Sequence, residues 1–167
     1  MNVRITATAF FAVSLLSATN PCLAAPWIPP THYKKSVEVY FGGMRGEYTG
    51  SSSLTGEQVF DALSVPDTPQ KTTVSDQTIL FAGCRYHSCT EKAAIIIGPQ
   101  DNVLSAALIS NKCRTLQRPR KHTTCDETPT LTLFEKPGDT AHAYREILKD
   151  WGDTKVADIP VEYQVVK

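Results

Sequence analysis

Residues 77–110 read QTILFAGCRYHSCTEKAAIIIGPQDNVLSAALIS, and their hydrophobic pattern is the clearest indication of the fold. Its apolar segments, residues 77–83, 92–99 and 102–110, are separated by short polar turns. The turn residues GPQDN join the second segment to the third, which is typical of a β-hairpin. The run Ile95–Ile97 predicts a strand that is buried on both faces. We therefore expect a central, mainly antiparallel sheet, with the cysteine loop between its first two strands.

Two segments outside this stretch are predicted to be helices that pack against the sheet. Residues 54–63, LTGEQVFDAL, have Thr55 as a candidate N-cap and Gln58 at the capping-box position. Residues 140–152 follow Asp139, a candidate cap. Positions expected to face the core are Val59, Phe60 and Leu63 in the first helix, and Ala141, Tyr144, Leu148 and Trp151 in the second. Gly152 is expected to end the second helix.

The remaining segments complete a single α+β domain, residues 26–167, in which helices flank the sheet. TLTLFEKP alternates with period two, so Leu131, Leu133 and Glu135 are expected on one side of a strand. The tail VEYQVV is predicted to be a last strand, and PDTPQK, residues 66–71, to be a polar loop. Residues 31–46 fit a helix or a strand.

The N-terminus has the features of a secretory signal peptide, residues 1–25. Arg4 precedes the apolar run ITATAFFAVSLL, which is shorter than the ~20 residues of a membrane span. Small residues follow, and cleavage after Ala24 or Ala25 would suit a signal peptidase. No later segment is apolar enough to span a membrane. We expect export to the periplasm, with a leader rich in proline at the start of the mature chain.

The charge balance argues against a nucleic-acid partner. The full chain has 17 Lys+Arg and 17 Asp+Glu. Removal of Arg4 with the signal peptide leaves 16 basic against 17 acidic residues, a net charge of −1. A polyanion would require a clear basic excess.

Cysteine usage predicts two disulfides. Removal of Cys22 with the signal peptide leaves four cysteines of the five, an even number in an exported chain. Four cysteines allow three pairings. We predict Cys84–Cys89 and Cys113–Cys125, because each closes a local loop.

The loop GCRYHSCTEK allows several chemical interpretations. A metal site would use Cys84, His87 and Cys89 with His122 or Cys125, but this spacing fits no zinc signature. A redox centre would need a C-x-x-C motif. A hydrolase would need paired carboxylates or a Ser–His–Asp set, and neither is recognisable. We predict no enzyme, no cofactor and no metal.

A structural interpretation also stays open: the disulfide staples a turn, and His87 is a solvated loop residue. The same interpretation suits His32, His122 and His142. The basic stretch RTLQRPRKH between Cys113 and Cys125 is interpreted as a solvated loop.

The stretch FAGCRYHSC resembles the inhibitor of vertebrate lysozyme family, Ivy, whose hallmark is a disulfide-closed loop C-K-P-H-D-C. Cys84, His87 and Cys89 match that pattern, while Arg85 replaces its lysine, Tyr86 its proline and Ser88 its aspartate. The similarity covers roughly residues 76–110.

The resemblance implies a bacterial envelope protein that blocks lysozyme. In that family the loop enters the enzyme's active-site cleft, with its histidine against the catalytic carboxylates. Carried over, His87 would be the inserted group, held by Cys84 and Cys89, and Arg85, Tyr86 and Ser88 would contact the partner.

Two other functions stay open. The changes at Tyr86 and Ser88 fit an envelope binding or immunity protein against another peptidoglycan-cleaving enzyme or toxin. The cysteines and histidine fit a periplasmic metal-binding protein. The oligomeric state is also open, a homodimer included.

Overall fold

The computed structural model describes residues 30–50, 54–75, 77–116, 122–138 and 142–167. The predicted signal peptide, Cys22, Asp139 and Ala141 lie outside these residues. The helices are α1 (Lys34–Phe41, after a 3-10 turn at Pro30–Tyr33), α2 (Thr55–Asp61) and α3 (Arg145–Lys155). The strands are β1 (Val65–Ser75), β2 (Thr78–Arg85), β3 (Ser88–Ile97), β4 (Val103–Ser110), β5 (Cys113–Leu116), β6 (His122–Cys125), β7 (Thr130–Glu135) and β8 (Val161–Val165).

Six strands form the central sheet in the order β1-β2-β3-β4-β7-β8. Neighbours pair antiparallel from β1 to β7, and only β7 and β8 are parallel. This exception has a topological cause, since α3 carries the chain from the end of β7 back to the start of β8. β5 and β6 form a separate hairpin. The predicted mainly antiparallel α+β domain is confirmed.

The sheet is buried on both faces, as the run Ile95–Ile97 predicted. Ile95 and Ile97 face α1 and α2, while Ile96 faces α3. Leu148 and Trp151 of α3 close the second core, so helices flank the sheet as expected. None of the described helices is long and apolar enough to cross a membrane.

Residues 66–71 are not the predicted polar loop, because they belong to β1. Pro66 pairs with Gly83 of β2, the register then slips, and pairing resumes at Lys71 opposite Phe81. β1 is the first strand in the sheet order, and an edge strand tolerates residues without an N–H such as Pro66 and Pro69. The polar sequence therefore reflects an edge position.

The cap predicted for α2 is also wrong. Leu54 is the N-cap, with no side-chain capping bond, and Thr55 is buried inside the helix. The Gln58 side chain instead accepts hydrogen bonds from the backbone N–H of Tyr48 at 3.1 Å and of Thr49 at 2.7 Å. Gln58 thus holds the loop before α2 in place.

Gly152 does not end the last helix, since α3 continues to Lys155. A Cβ at Gly152 would lie 2.5 Å from Leu131 Cδ2, closer than packed carbon atoms come. The absence of a side chain therefore lets α3 approach β7. The undecided segment 31–46 contains α1, and the predicted last strand is β8.

Candidate functional site

The cysteine loop is a two-residue turn between β2 and β3. Pairing runs without a gap from Ile79↔Ile97 to Cys84↔Lys92, and Arg85↔Ser88 closes the hairpin. Tyr86 and His87 alone occupy the turn. His87 has φ +63°, in the left-handed region that histidine adopts more readily than most residues. The sheet therefore fixes both ends of a very short tip.

The Cys84–Cys89 disulfide spans a bulge at the base of this tip. Between the pairs Cys84↔Lys92 and Arg85↔Ser88, β3 contains extra residues that face no partner on β2. Cys89 lies in this bulge, with its Cα 4.8 Å from that of Cys84. The predicted pairing is confirmed, and the disulfide closes a bulge that strand pairing leaves open.

The tip presents two aromatic rings to solvent. Tyr86 is 66% exposed, and His87 is exposed beside it. Their ring centroids are 3.9 Å apart, with a tilt of 56°. Among the described residues, none forms a hydrogen bond to the His87 ring nitrogens. The imidazole is therefore free to meet another molecule.

Backbone and side-chain hydrogen bonds hold the tip from below. The Tyr86 N–H donates to Ser64 Oγ at 2.9 Å, which ties the turn to the loop before β1. The hydroxyls of Ser88 and Thr90 are 3.1 Å apart. Lys92 Nζ donates to the carbonyl of Cys89 within the bulge. These bonds restrain the backbone and leave the two rings free.

Arg85 is engaged by its own domain. Its guanidinium donates to Glu91 Oε2 at 2.6 Å, and both side chains are partly buried, at 31% and 13% exposure. The hydrogen bond to Glu91 raises the pKa of Arg85, with a smaller contribution from the charge of Asp61. The predicted contact residue Arg85 thus lies at the side of the tip, and Ser88 lies half-buried at its base.

Two residues that support the tip, Ser64 and Glu91, are not marked by any pattern in the sequence. Ser64 is remote in sequence, and only the pairing of β1 with β2 brings it to the turn. Glu91 is in no recognisable motif. The spacing of the two cysteines does not reveal the bulge that brings the Glu91 side chain within hydrogen-bond distance of Arg85.

The other candidate residues do not join the tip. Cys113 and Cys125 form the second predicted disulfide, directly opposite each other on β5 and β6. His32 pairs with Asp101 at 3.1 Å. His142 is exposed elsewhere, and the side chain of His122 lies outside the described part of the chain.

The zinc site considered above would require reduction of the Cys84–Cys89 disulfide, and also of Cys113–Cys125 if Cys125 were a ligand, because cysteine binds zinc as a thiolate. In the described ranges, no three or more His, Cys, Asp or Glu residues are grouped so that they could hold a metal ion. The mass of the purified protein discriminates directly: two disulfides remove four hydrogens, whereas a zinc–thiolate site adds metal.

Comparison with known proteins assigns no family. No family model, curated protein or solved structure matches the chain.

Proposed function

We propose that the protein is a periplasmic inhibitor of c-type lysozyme that inserts the Tyr86–His87 tip into the active-site cleft of the enzyme. The observation that carries the proposal is the tip itself, an exposed imidazole without a hydrogen-bond partner in the described domain. The resemblance of CRYHSC to the Ivy loop, and the predicted signal peptide, supply the target and the compartment.

An imidazole suits the chemistry of such a cleft. Retaining glycosidases hold two catalytic carboxyl groups ~5 Å apart. A protonated histidine has one N–H donor on each side of its ring, so His87 can donate to both carboxylates. Such bonds are charge-assisted, and exclusion of water strengthens them. The tip would therefore occupy the catalytic groups without any reaction of its own.

The rigidity of the tip favours tight binding. A flexible loop loses conformational entropy when it docks, and that loss lowers the affinity. Here the paired strands, the Cys84–Cys89 disulfide and the bond from Tyr86 N–H to Ser64 already fix the backbone. We infer stoichiometric inhibition by occlusion, with no cofactor.

The neighbours of His87 have separate roles in this proposal. Tyr86 is exposed enough to pack against the cleft wall. Ser88, at the base, would contact the rim. Arg85 contributes to the partner only through the face of its guanidinium that Glu91 leaves free.

The test is a cell-wall lysis assay with a c-type lysozyme and the purified protein. His87→Ala should weaken inhibition by ~2–4 kcal/mol, the size of an interface hot spot. His32→Ala is the matched control, because it removes another exposed histidine away from the tip. An unchanged inhibition constant for His87→Ala would reject the role of the tip.

A second function is favoured by Tyr86 and Ser88, which differ from the Ivy pattern. We propose as the alternative an envelope protein that neutralises another peptidoglycan-cleaving enzyme, such as an interbacterial toxin. A pull-down with a panel of muramidases separates the two functions. Capture of a toxin muramidase without c-type lysozyme would favour the alternative.

A further inference from the structure

Strand β8 is an edge strand of the central sheet, with β7 on its inner side. It lies at the end of the sheet order, and no other strand of the described chain pairs with its outer side. Two of its side chains are unusually exposed for apolar residues, Tyr163 at 48% and Val165 at 61%. An edge of this kind is a template for strand addition.

The backbone groups that face outward can be identified from the bonds that face inward. The carbonyl of Pro160 accepts from Leu131 N at 2.8 Å, and Val166 N donates to the carbonyl of Glu135 at 2.9 Å. In a strand, successive residues direct their N–H and C=O groups to opposite sides. The even-numbered residues therefore face β7, and Val161, Tyr163 and Val165 offer their N–H and C=O groups at the free edge.

The sequence of β8, VEYQV, is nearly the same in both directions. If two copies pair antiparallel about Tyr163, Val161 meets Val165 and Tyr163 meets its own counterpart. Glu162 then lies opposite Gln164, whose amide can donate to the carboxylate. β-Branched and aromatic pairs stabilise antiparallel strands, and no like charges are opposed.

The opposite edge of the sheet is protected in a way that β8 is not. β1 contains Pro66, Pro69 and Lys71, and its register slips twice. Prolines, lysines and bulges prevent edge-to-edge pairing. β8 has none of these features, and its pairing with β7 is regular from Val161 to Val165.

From these observations we infer that the protein forms a homodimer through β8, with a twofold axis at Tyr163 that joins two six-stranded sheets. Each outward-facing residue then makes two interchain hydrogen bonds. Such an interface is self-complementary, as a twofold axis requires. β3, β4 and β7 separate β2 from β8, which places the tip ~19 Å from the interface at ordinary strand spacing. Both tips stay accessible, so the dimer does not depend on the proposed inhibition.

Sedimentation velocity of the purified protein over a range of concentrations tests the inference. Val165→Lys should raise the dimer dissociation constant by about tenfold or more, because it places a charge opposite Val161. Val39→Lys is the matched control, since Val39 on α1 is equally exposed, at 64%. It should leave the dimer unchanged.

Two substitutions at Gln164 test the register. Gln164→Glu places like charges opposite Glu162 twice per dimer and should weaken association by about threefold to tenfold. Gln164→Lys creates two opposite-charge pairs and should strengthen association. A protein that is monomeric at every soluble concentration would overturn the inference. A dimer that ignores Val165→Lys and both Gln164 variants would do so as well. Amide protection of Val161, Tyr163 and Val165 in the monomer would show that another part of the chain covers the edge, and this result would also overturn the inference.

Discussion

The rings of Tyr86 and His87 are in contact at the tip of the β2–β3 hairpin, with centroids 3.9 Å apart. In the Ivy pattern the position of Tyr86 is a proline, which restrains the backbone through its fixed φ. Tyrosine has no such restraint, but its ring limits the orientations of the neighbouring imidazole. The ring contact therefore acts on the orientation of the imidazole, whereas a proline at this position acts on the backbone.

The contact predicts a role for the ring of Tyr86 rather than its hydroxyl. Aromatic pairs contribute ~0.5–1.5 kcal/mol beyond their buried area. Tyr86→Ala should therefore raise the inhibition constant for lysozyme by roughly tenfold, whereas Tyr86→Phe should stay close to wild type. Urea unfolding of the same variants serves as the control, because the exposed ring contributes little to the fold. Equal inhibition by Tyr86→Ala and wild type would show that the contact has no function.

The disulfide at the base of the tip predicts a larger effect on binding than on folding. The Cys84–Cys89 ring is short, with a sequence separation of 5, so the chain-entropy estimate of its stabilisation is only about 2 kcal/mol. The double variant Cys84→Ser/Cys89→Ser should remain folded by circular dichroism. Its inhibition should fall steeply, because the bulge that carries Cys89 is no longer closed. Removal of the other disulfide by Cys113→Ser/Cys125→Ser is the matched control and should preserve inhibition. A larger loss of inhibition in Cys113→Ser/Cys125→Ser than in Cys84→Ser/Cys89→Ser would contradict the role of the tip.

Replacement of Gly152 by alanine is expected to destabilise the protein, although alanine is normally favourable inside a helix. Alanine has the higher helix propensity, by ~1 kcal/mol. The new Cβ would nevertheless lie 2.5 Å from Leu131 Cδ2, and overpacking of this kind costs ~1–3 kcal/mol. Gly152→Ala should therefore lower the free energy of unfolding in urea. Gly43→Ala, where no atom lies within 4 Å of the new Cβ, should leave it nearly unchanged. A stabilised Gly152→Ala variant would mean that α3 can move away from β7 at little cost.

Much of the fold was predictable because most strands of the sheet have a hydrophobic pattern that is recognisable within a few consecutive residues. Strands are predicted by the β-branched run at Ile95–Ile97 and by the alternation around Leu133. The turn GPQDN predicts a hairpin. None of these predictions requires knowledge of the partner strand. The wrong predictions concern residues whose structure depends on a segment that is distant in the sequence. Pro66 is compatible with β1 only because β1 is an edge strand. Gly152 lies inside α3 and does not end it, because its missing side chain lets the helix pack closely against Leu131.

The candidate site was also predictable only in part. The spacing of Cys84, His87 and Cys89 was enough to predict a closed loop with an exposed histidine. The supports of that loop were not predictable. Ser64 reaches the turn through the β1–β2 pairing, and Glu91 reaches Arg85 through a bulge that no sequence signal marks.

The stability of the protein at alkaline pH is expected to depend on Tyr40. This residue is 3% exposed, and its hydroxyl donates to the carbonyl of Phe134 at 2.8 Å. Burial raises its pKa strongly, the nearby charge of Glu135 raises it further, and a backbone hydrogen bond from Lys136 opposes the shift. In the unfolded chain a tyrosine titrates near pH 10. Above that pH the unfolded state loses the proton while the folded state keeps it. The stabilisation from neutral Tyr40 is therefore complete below about pH 10 and is lost as the pH rises toward the folded pKa.

Tyr40→Phe separates this effect from the loss of a hydrogen bond. At neutral pH the variant should be less stable by ~1 kcal/mol, although Ser105 still donates to the same carbonyl at 3.3 Å. Between about pH 10 and pH 11 its stability should fall less steeply than that of wild type, by up to ~1.4 kcal/mol per pH unit, because one titrating group is absent. Tyr33 and Tyr48, whose pKa values are also raised by burial, keep part of the slope in the variant. Urea unfolding from about pH 8 to about pH 11 measures both quantities. Equal slopes for wild type and Tyr40→Phe would show that Tyr40 ionises without unfolding the protein, and that the α1 side of the core opens to water more readily than its packing implies.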